Sequence, residues 1–211
     1  MRLYLLRHGQ TEWNIEGKIQ GKTDIPLNET GLRQARCLAE GMRERKIGAV
    51  YSSPLMRAAQ TAEILAEEKG LSVSVLPELR EVDFGLWEGR SWTEVDAEFH
   101  EDFRRWEENP AEYMPTGGES RESCRERCRA AMEQLLAGTV TDAAIVAHGG
   151  ILAHVADYLL RNQKEKEEII VKNASISIIE YDSSTEMGRL LLLNDTAHLG
   201  ILSDGRTNKF C

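Results

Sequence analysis

The sequence has no apolar run of about 18 residues and no charged, then apolar, then small-residue leader, so neither a membrane span nor a secretory signal is expected. A cytoplasmic address follows. Positive charge is also in short supply: 26 Lys and Arg stand against 35 Asp and Glu, a formal net charge of -9. Nucleic acids and acidic membrane surfaces reward basic stripes, so neither is expected as a partner. Cysteine is sparse. Cys37, Cys124, Cys128 and Cys211 form no Cys-x-x-Cys pair, and Cys124 and Cys128 fall one helical turn apart with no further His or Cys to complete a ligand set. Reduced thiols are therefore expected, and neither zinc nor redox chemistry. No His-Glu-x-x-His pattern, internal repeat, low-complexity tract or long linker is present.

What is present is an alternation of strand-like and helix-like segments, long enough at 211 residues for one α/β domain over 1–211. The first strand is expected at Arg2 to Leu6, followed by an irregular stretch from Gly9 to Glu29. An amphipathic helix then runs from Gly31 to about Arg45, with Leu32, Ala35, Cys37 and Leu38 toward its apolar side. A second strand at Ala49 to Ser52 precedes a helix over Leu55 to Lys69, with Ser52 or Ser53 as its cap and Pro54 in its first turn. A third strand is expected at Ser72 to Leu76. The acidic, aromatic stretch over about 91–115 reads as a helical insert or lid, ended by Asn109-Pro110 and Pro115. A helix from Ser120 to about Leu136, a strand at Ala143 to Ala147, a His148-Gly149-Gly150 turn and a helix from Ile151 to Leu160 come next. Strands around Ser175 to Ile178 and Leu190 to Leu193, separated by Asp182 to Gly188, close the pattern as an antiparallel hairpin. The expected architecture is a mostly parallel sheet, made mixed by that hairpin and flanked by helices.

The chemistry-bearing residues cluster at strand ends. Arg7 and His8 come directly after the apolar run Leu3-Tyr4-Leu5-Leu6, and ligands of open α/β sheets bind beyond the carboxyl ends of strands. His148 repeats the strand, His, Gly, helix arrangement. Arg57 falls in the first turn of the helix after another strand, where free N–H groups and the positive dipole end favour anions. Two guanidiniums can hold a phosphoryl group by forked hydrogen bonds. A neutral imidazole can attack phosphorus while a second one stabilises the oxygens in flight. A proton donor is still needed, and Glu78, Glu81, Asp83 and Glu88 are the candidates. Phe84 and Trp87 beside them are expected to desolvate the acid, and spacing alone does not choose among the four. Gly17 to Thr23 imitates a nucleotide phosphate loop but has three residues between its glycines where four are required, and no strand immediately before it. It is expected instead to be a loop beside Arg7 and His8.

These residues fall in the order of one family: Arg7-His8-Gly9 with Thr11 and Asn14, Gln20-Gly21, Asp24 to Leu27, Gly31 with Gln34-Ala35, Ser52-Ser53-Pro54 with Arg57-Ala58 and Gln60-Thr61-Ala62. Glu81 with Phe84-Gly85 and Trp87-Glu88-Gly89, then His148-Gly149-Gly150, complete the set. The chain resembles the histidine phosphatase superfamily, in the branch of cofactor-dependent phosphoglycerate mutases and small-molecule phosphatases. That resemblance spans roughly Arg2 to Leu199 and implies a three-layer fold, a mixed sheet between helical layers. It implies His8 as the nucleophile that becomes phosphohistidine, Arg7, Arg57 and His148 as the phosphate pocket, and Glu81 as proton donor. It also places Asn14 on the phosphoryl group and the loop Gln20, Gly21, Lys22, Thr23 at the border of the substrate, with Gly149 beside His148 in the pocket. No metal or other cofactor is implied.

The stretch Asp83 to Gly89 departs from the Tyr-Gly start and Leu-Asn-Lys stretch usual in the mutases, and the segment after it is shorter. Both features favour hydrolysis. The pattern is most similar to the α-ribazole phosphatases and broad-specificity phosphatases, and Asn194-Asp195 with His198-Leu199 fits the same group. The expectation is a phosphomonoesterase acting on a small phosphorylated metabolite, α-ribazole 5′-phosphate or a sugar phosphate, with inorganic phosphate as product. Its rivals are a phosphoglycerate mutase and a non-catalytic phosphoester-binding regulatory module. The oligomeric state is left open, a homodimer included.

Overall fold

The computed structural model describes residues 1–109, 113–138, 142–163 and 169–203. Six strands form one mixed sheet: β1 (Arg2–Arg7), β2 (Ala49–Ser52), β3 (Val73–Val75), β4 (Ala143–Ala147), β5 (Ile176–Asp182) and β6 (Met187–Asp195). Their order across the sheet is β3-β2-β4-β1-β5-β6. The first four are mutually parallel where they pair, and β5 and β6 run antiparallel. The helices are α1 (Glu12–Ile15), α2 (Glu29–Gly41), α3 (Met56–Lys69), α4 (Trp92–Glu98), α5 (His100–Glu108), α6 (Arg121–Gly138) and α7 (Gly149–Leu159). Among the described residues, no helix is long and apolar enough to cross a membrane.

The apolar β1 and β4 occupy the centre because helices cover both faces of the sheet. Side chains alternate across the strand, so Leu3 and Leu5 face one layer while Tyr4 and Leu6 face the other. The first pair joins Cys124, Cys128, Met132 and Leu135 of α6 and Ile151, Val155 and Leu159 of α7. The second joins Leu38 and Ala39 of α2 and Ala58, Ala62 and Leu65 of α3. Cys124 and Cys128 are core thiols, and burial pushes each up to about 12. Cys211 and Pro110 lie outside the described residues.

The expected insert consists of α4 and α5 and has a small core of its own. Ile19, Phe84, Trp87 and Val95 are buried there, with Trp92, Phe99, Phe103 and Trp106 packed around them. Trp87 meets Trp92, Phe103 and Trp106 edge-on at centroid distances of 5.8–6.3 Å. Phe84 and Trp87, expected to desolvate an acid of the neighbouring cluster, turn their rings into this small core.

Boundaries differ where capping decides them. The stretch expected to be irregular contains α1, started by a reciprocal Thr11–Asn14 capping box. α2 starts at Glu29, because the Asn28 side chain accepts the Gly31 N–H, and ends at Gly41, four residues before Arg45. α3 is capped at Leu55 without a side-chain bond, and Pro54 precedes its first turn. Ser53, expected as a cap, accepts the Leu55 N–H at 3.2 Å and turns its hydroxyl to His148. α7 takes in Gly149 and Gly150, which were expected to form a turn before it.

Candidate active site

Strand register assembles the site. Arg7 is level with Ala147 in the parallel β1–β4 pair, so the next residue of each strand, His8 and His148, leaves the sheet at the same height. Their rings lie 5.2 Å apart between centroids. His8 Nδ1 lies 2.6 Å from the Gly9 carbonyl oxygen, which can only accept; the proton is therefore assigned to Nδ1, and Nε2 carries the lone pair. His148 Nε2 lies 2.7 Å from Ser53 Oγ. With the Ser53 hydroxyl proton assigned to His148 Nε2, the choice that turns a ring N–H rather than a lone pair toward the anion-binding side, the ring proton is on Nδ1. That Nδ1 is buried without a hydrogen-bond partner among the described residues, a donor waiting for an acceptor.

Arg57, wholly buried, spends Nη1 on the Thr23 carbonyl at 2.9 Å and Nη2 on the Gly21 carbonyl at 2.7 Å. Its Nε is buried and unpartnered among the described residues. Burial pulls its pKa down to about 10, so it keeps its charge at neutral pH. A buried cation bonded only to carbonyls is costly until an anion joins it. Arg7 donates Nη1 to the Val171 carbonyl at 2.7 Å, and its guanidinium lies against Gly149: a Cβ there would stand 3.3 Å from Arg7 Cζ. Gly149 thus makes room for Arg7.

Burial, and after it the Arg57 guanidinium, holds both His8 and His148 well below the ordinary histidine range. His154 and His198 are lowered as well, in each case chiefly by burial. The unfolded chain takes up protons near about pH 6.5 that the folded chain refuses, so the unfolded state binds more protons and stability falls with falling pH. Urea midpoints measured on either side of about pH 6.5 are expected to drop on the acid side, and His8→Ala is expected to flatten the slope. Equal midpoints across that range would mean that the folded protein accepts these protons.

The four candidate acids separate by partner. Glu88 spends Oε1 on the Lys22 and Phe84 N–H groups and Oε2 on Thr23 N–H and Oγ1, which moulds the Gln20 to Thr23 loop. Asp83 takes the Lys22 ammonium at 2.6 Å and the Gly85 N–H. Among the described residues, Glu78 offers only its carbonyl, to Arg127. Glu81 instead reaches the start of α7, beside His148: Oε1 accepts from Val82 and Ile151 N–H at 2.9 Å, and Oε2 from Gly150 N–H at 3.0 Å. Oε2, which takes a single N–H bond, retains a lone pair. Gly150 leaves it space, since a Cβ would come within 2.7 Å of Glu81 Oε1.

Asn14 Oδ1 accepts from Thr11 N–H and Asn173 Nδ2, which leaves its own amide N–H groups to donate. Gln20 is buried and accepts from Thr11 Oγ1. Sequence reasoning missed Asn173, whose Nδ2 lies 3.1 Å from the His8 carbonyl and 3.4 Å from that of Gly9. It also missed Ser53 as a partner of His148, and Arg127. Asn173 is more than 160 residues from the backbone it supports, and no local pattern marks it. Among the described residues, no group of three or more His, Cys, Asp or Glu side chains is arranged to hold a metal ion.

Comparison with known proteins agrees with this geometry. The family model for the histidine phosphatase superfamily (branch 1) matches residues 3–196. Phosphoserine phosphatase 1 of Hydrogenobacter thermophilus is 35% identical over 202 residues, covering 95% of each chain. Among solved structures, a mycobacterial glucosyl-3-phosphoglycerate phosphatase superposes with a TM-score of 0.82 at 33% identity, covering 92% of this chain and 99% of its own. The α-ribazole phosphatase of Shigella flexneri superposes with a TM-score of 0.82 at 28% identity, covering 92% and 96%. With its six-stranded mixed sheet and paired strand-end histidines, the chain belongs to branch 1 of the histidine phosphatase superfamily.

Proposed function

We propose that this phosphoric monoester hydrolase works through a phosphohistidine on His8 and acts on a small phosphorylated metabolite. The observation that carries the reading is the pair of buried, neutral imidazoles 5.2 Å apart, one with its lone pair at Nε2 and the other with an Nδ1–H that has no partner among the described residues, beside the buried charge of Arg57. His8 Nε2 attacks phosphorus, and the P–O bond to the leaving group breaks. Glu81, protonated at Oε2, delivers its proton to the departing oxygen. Water then attacks the phosphohistidine, giving its proton to Glu81 and releasing inorganic phosphate, so the carboxyl ends as it began. Arg7, Arg57, the Asn14 amide and His148 hold the phosphoryl oxygens throughout, with the charge of the arginines aimed where charge moves. Gly21, Lys22 and Thr23 border the leaving group.

α-Ribazole 5′-phosphate and sugar phosphates are the first substrates to test. The names of the relatives add phosphoserine and glucosyl-3-phosphoglycerate. Phosphate release is to be measured with chelator present and His8→Ala as control. Release by the wild type and none by the variant is expected. Isomerisation of 3-phosphoglycerate without phosphate release would make the protein a mutase, and tight binding without turnover a regulatory module.

Arg57→Lys keeps the charge but loses the planar fork and the bonds to Gly21 and Thr23. Its kcat/KM is expected to fall roughly 10²-fold or more, the size of one strong transition-state contact. Unchanged kinetics would remove Arg57 from the pocket.

A further inference from the structure

The segment that carries Glu81 has little secondary structure to hold it. Pro77–Leu79 is a single 3-10 turn, after which the chain runs irregularly to the next such turn at Gly85–Trp87. Its carbonyls face α6, where one side chain receives three of them. Arg127 Nη1 lies 2.5 Å from the Glu78 oxygen and 2.7 Å from that of Arg80, and Nη2 lies 3.2 Å from that of Glu81. The guanidinium is itself locked by Glu119, with Nε to Oε1 at 2.7 Å and Nη2 to Oε2 at 2.8 Å. Both side chains are nearly out of solvent, at 9% and 6% exposed. Glu119 also donates its backbone N–H to the Asp83 carbonyl at 2.8 Å, so the pair holds the segment on both sides of Glu81.

Taking the reading of Glu81 as proton donor, we infer that Arg127, held by Glu119, is the positioning residue for that donor. Glu81 is fixed at two ends by two helices: its carbonyl by Arg127 of α6, and its carboxylate by the first N–H groups of α7. If the first anchor is lost, the second alone sets the carboxyl's position. The bonds of Arg127 go to this segment and to Glu119 and Cys124 of its own neighbourhood, with none to the residues assigned to the phosphate. Buried ion pairs contribute little net stability compared with packed apolar groups of the same volume, so stability alone is a weak reason for one here. Lysine cannot replace it, since a single ammonium cannot span three carbonyls and a bidentate carboxylate.

The test uses the full chain with Arg127→Met, Arg127→Ala, the double variant Glu119→Leu/Arg127→Met, and Glu81→Gln in parallel. The double variant removes both charges and serves if the single one fails to fold. Each is assayed on an alkyl phosphate, whose leaving oxygen needs a proton, and on p-nitrophenyl phosphate, whose leaving oxygen does not. The Arg127 variants are expected to lose about 10- to 100-fold in kcat/KM, which reports phosphoryl transfer to His8, on the alkyl ester, the cost of a misplacement near 1 Å. On the aryl ester they should lose several-fold less, with the inhibition constant of inorganic phosphate unchanged. Millimolar guanidinium is expected to restore part of the alkyl activity in Arg127→Ala. Equal losses on both esters together with weakened phosphate inhibition would overturn the inference and leave Arg127 as a fold residue. If Glu81→Gln itself fails to separate the kcat/KM values of the two esters, the reading of Glu81 as donor fails. If Glu81→Gln separates them and the Arg127 variants do not, the positioning role alone is overturned.

Discussion

His8→Ala is expected to lower phosphate release by roughly 10⁴-fold or more, since removing a covalent nucleophile ends the two-step route. The same substitution should abolish an acid-labile, base-stable phosphoenzyme that mass spectrometry after rapid quenching finds on His8 in the wild type. The structural reason is the fixed ring: Nδ1 is committed to the Gly9 carbonyl, so the only lone pair on His8 is at Nε2. His148 is a poor substitute, because its Nε2 is committed to Ser53 and its proton is assigned to Nδ1. Phosphate should still bind the variant, since Arg7, Arg57 and His148 remain. Full turnover by His8→Ala, or phosphate trapped only on His148, would remove His8 from the nucleophile's role.

Glu81→Gln keeps the shape of the side chain but cannot deliver a proton. A sugar alkoxide is a poor leaving group, so hydrolysis of sugar phosphates is expected to fall by about 10²- to 10⁴-fold, the range for loss of a general acid. An activated aryl phosphate should lose far less in the first step, and phosphoenzyme should accumulate because the water that resolves it has lost its base. A second effect comes from geometry. Three backbone N–H groups point at the carboxylate, and a carboxamide can meet them with one oxygen only, so its NH₂ stands against an N–H of Val82, Gly150 or Ile151. A loss of about 1–3 kcal/mol in stability is expected from the donor left unpaired. Equal loss on both substrate classes without accumulation would make Glu81 a helix cap. Asp83 would then be the next residue to replace. Glu88 is the weaker alternative because it already holds the Lys22 and Thr23 N–H groups.

Periodicity and residue order settled a good deal. β2 and β4 lie where the apolar runs place them, and α3 and α6 begin within a residue of expectation. Terminal turns were less legible, because a cap is decided by whichever partner reaches it. Ser53 had the composition of a cap for α3 and became a partner of His148, and the first N–H groups of α7 were taken by an acid about 70 residues away. Likewise, Phe84 and Trp87 sit next to the acid cluster in sequence, yet their rings turn into the core of the insert.

By itself, the sequence determined the inventory: two Arg-or-His strand ends, an arginine at a helix start and four candidate acids, in an order that one family shares. Local sequence carries this much because strand and helix periods follow from which residues are apolar. Only the tertiary structure decided which atoms are spent and which are free. The level ends of β1 and β4 bring the two imidazoles together; backbone carbonyls take the Nη atoms of Arg57 and leave its Nε without a partner among the described residues; and the start of α7 bonds Glu81 rather than the other candidate acids. Those outcomes depend on hydrogen bonds between residues tens to more than a hundred positions apart, and no window of sequence contains both partners.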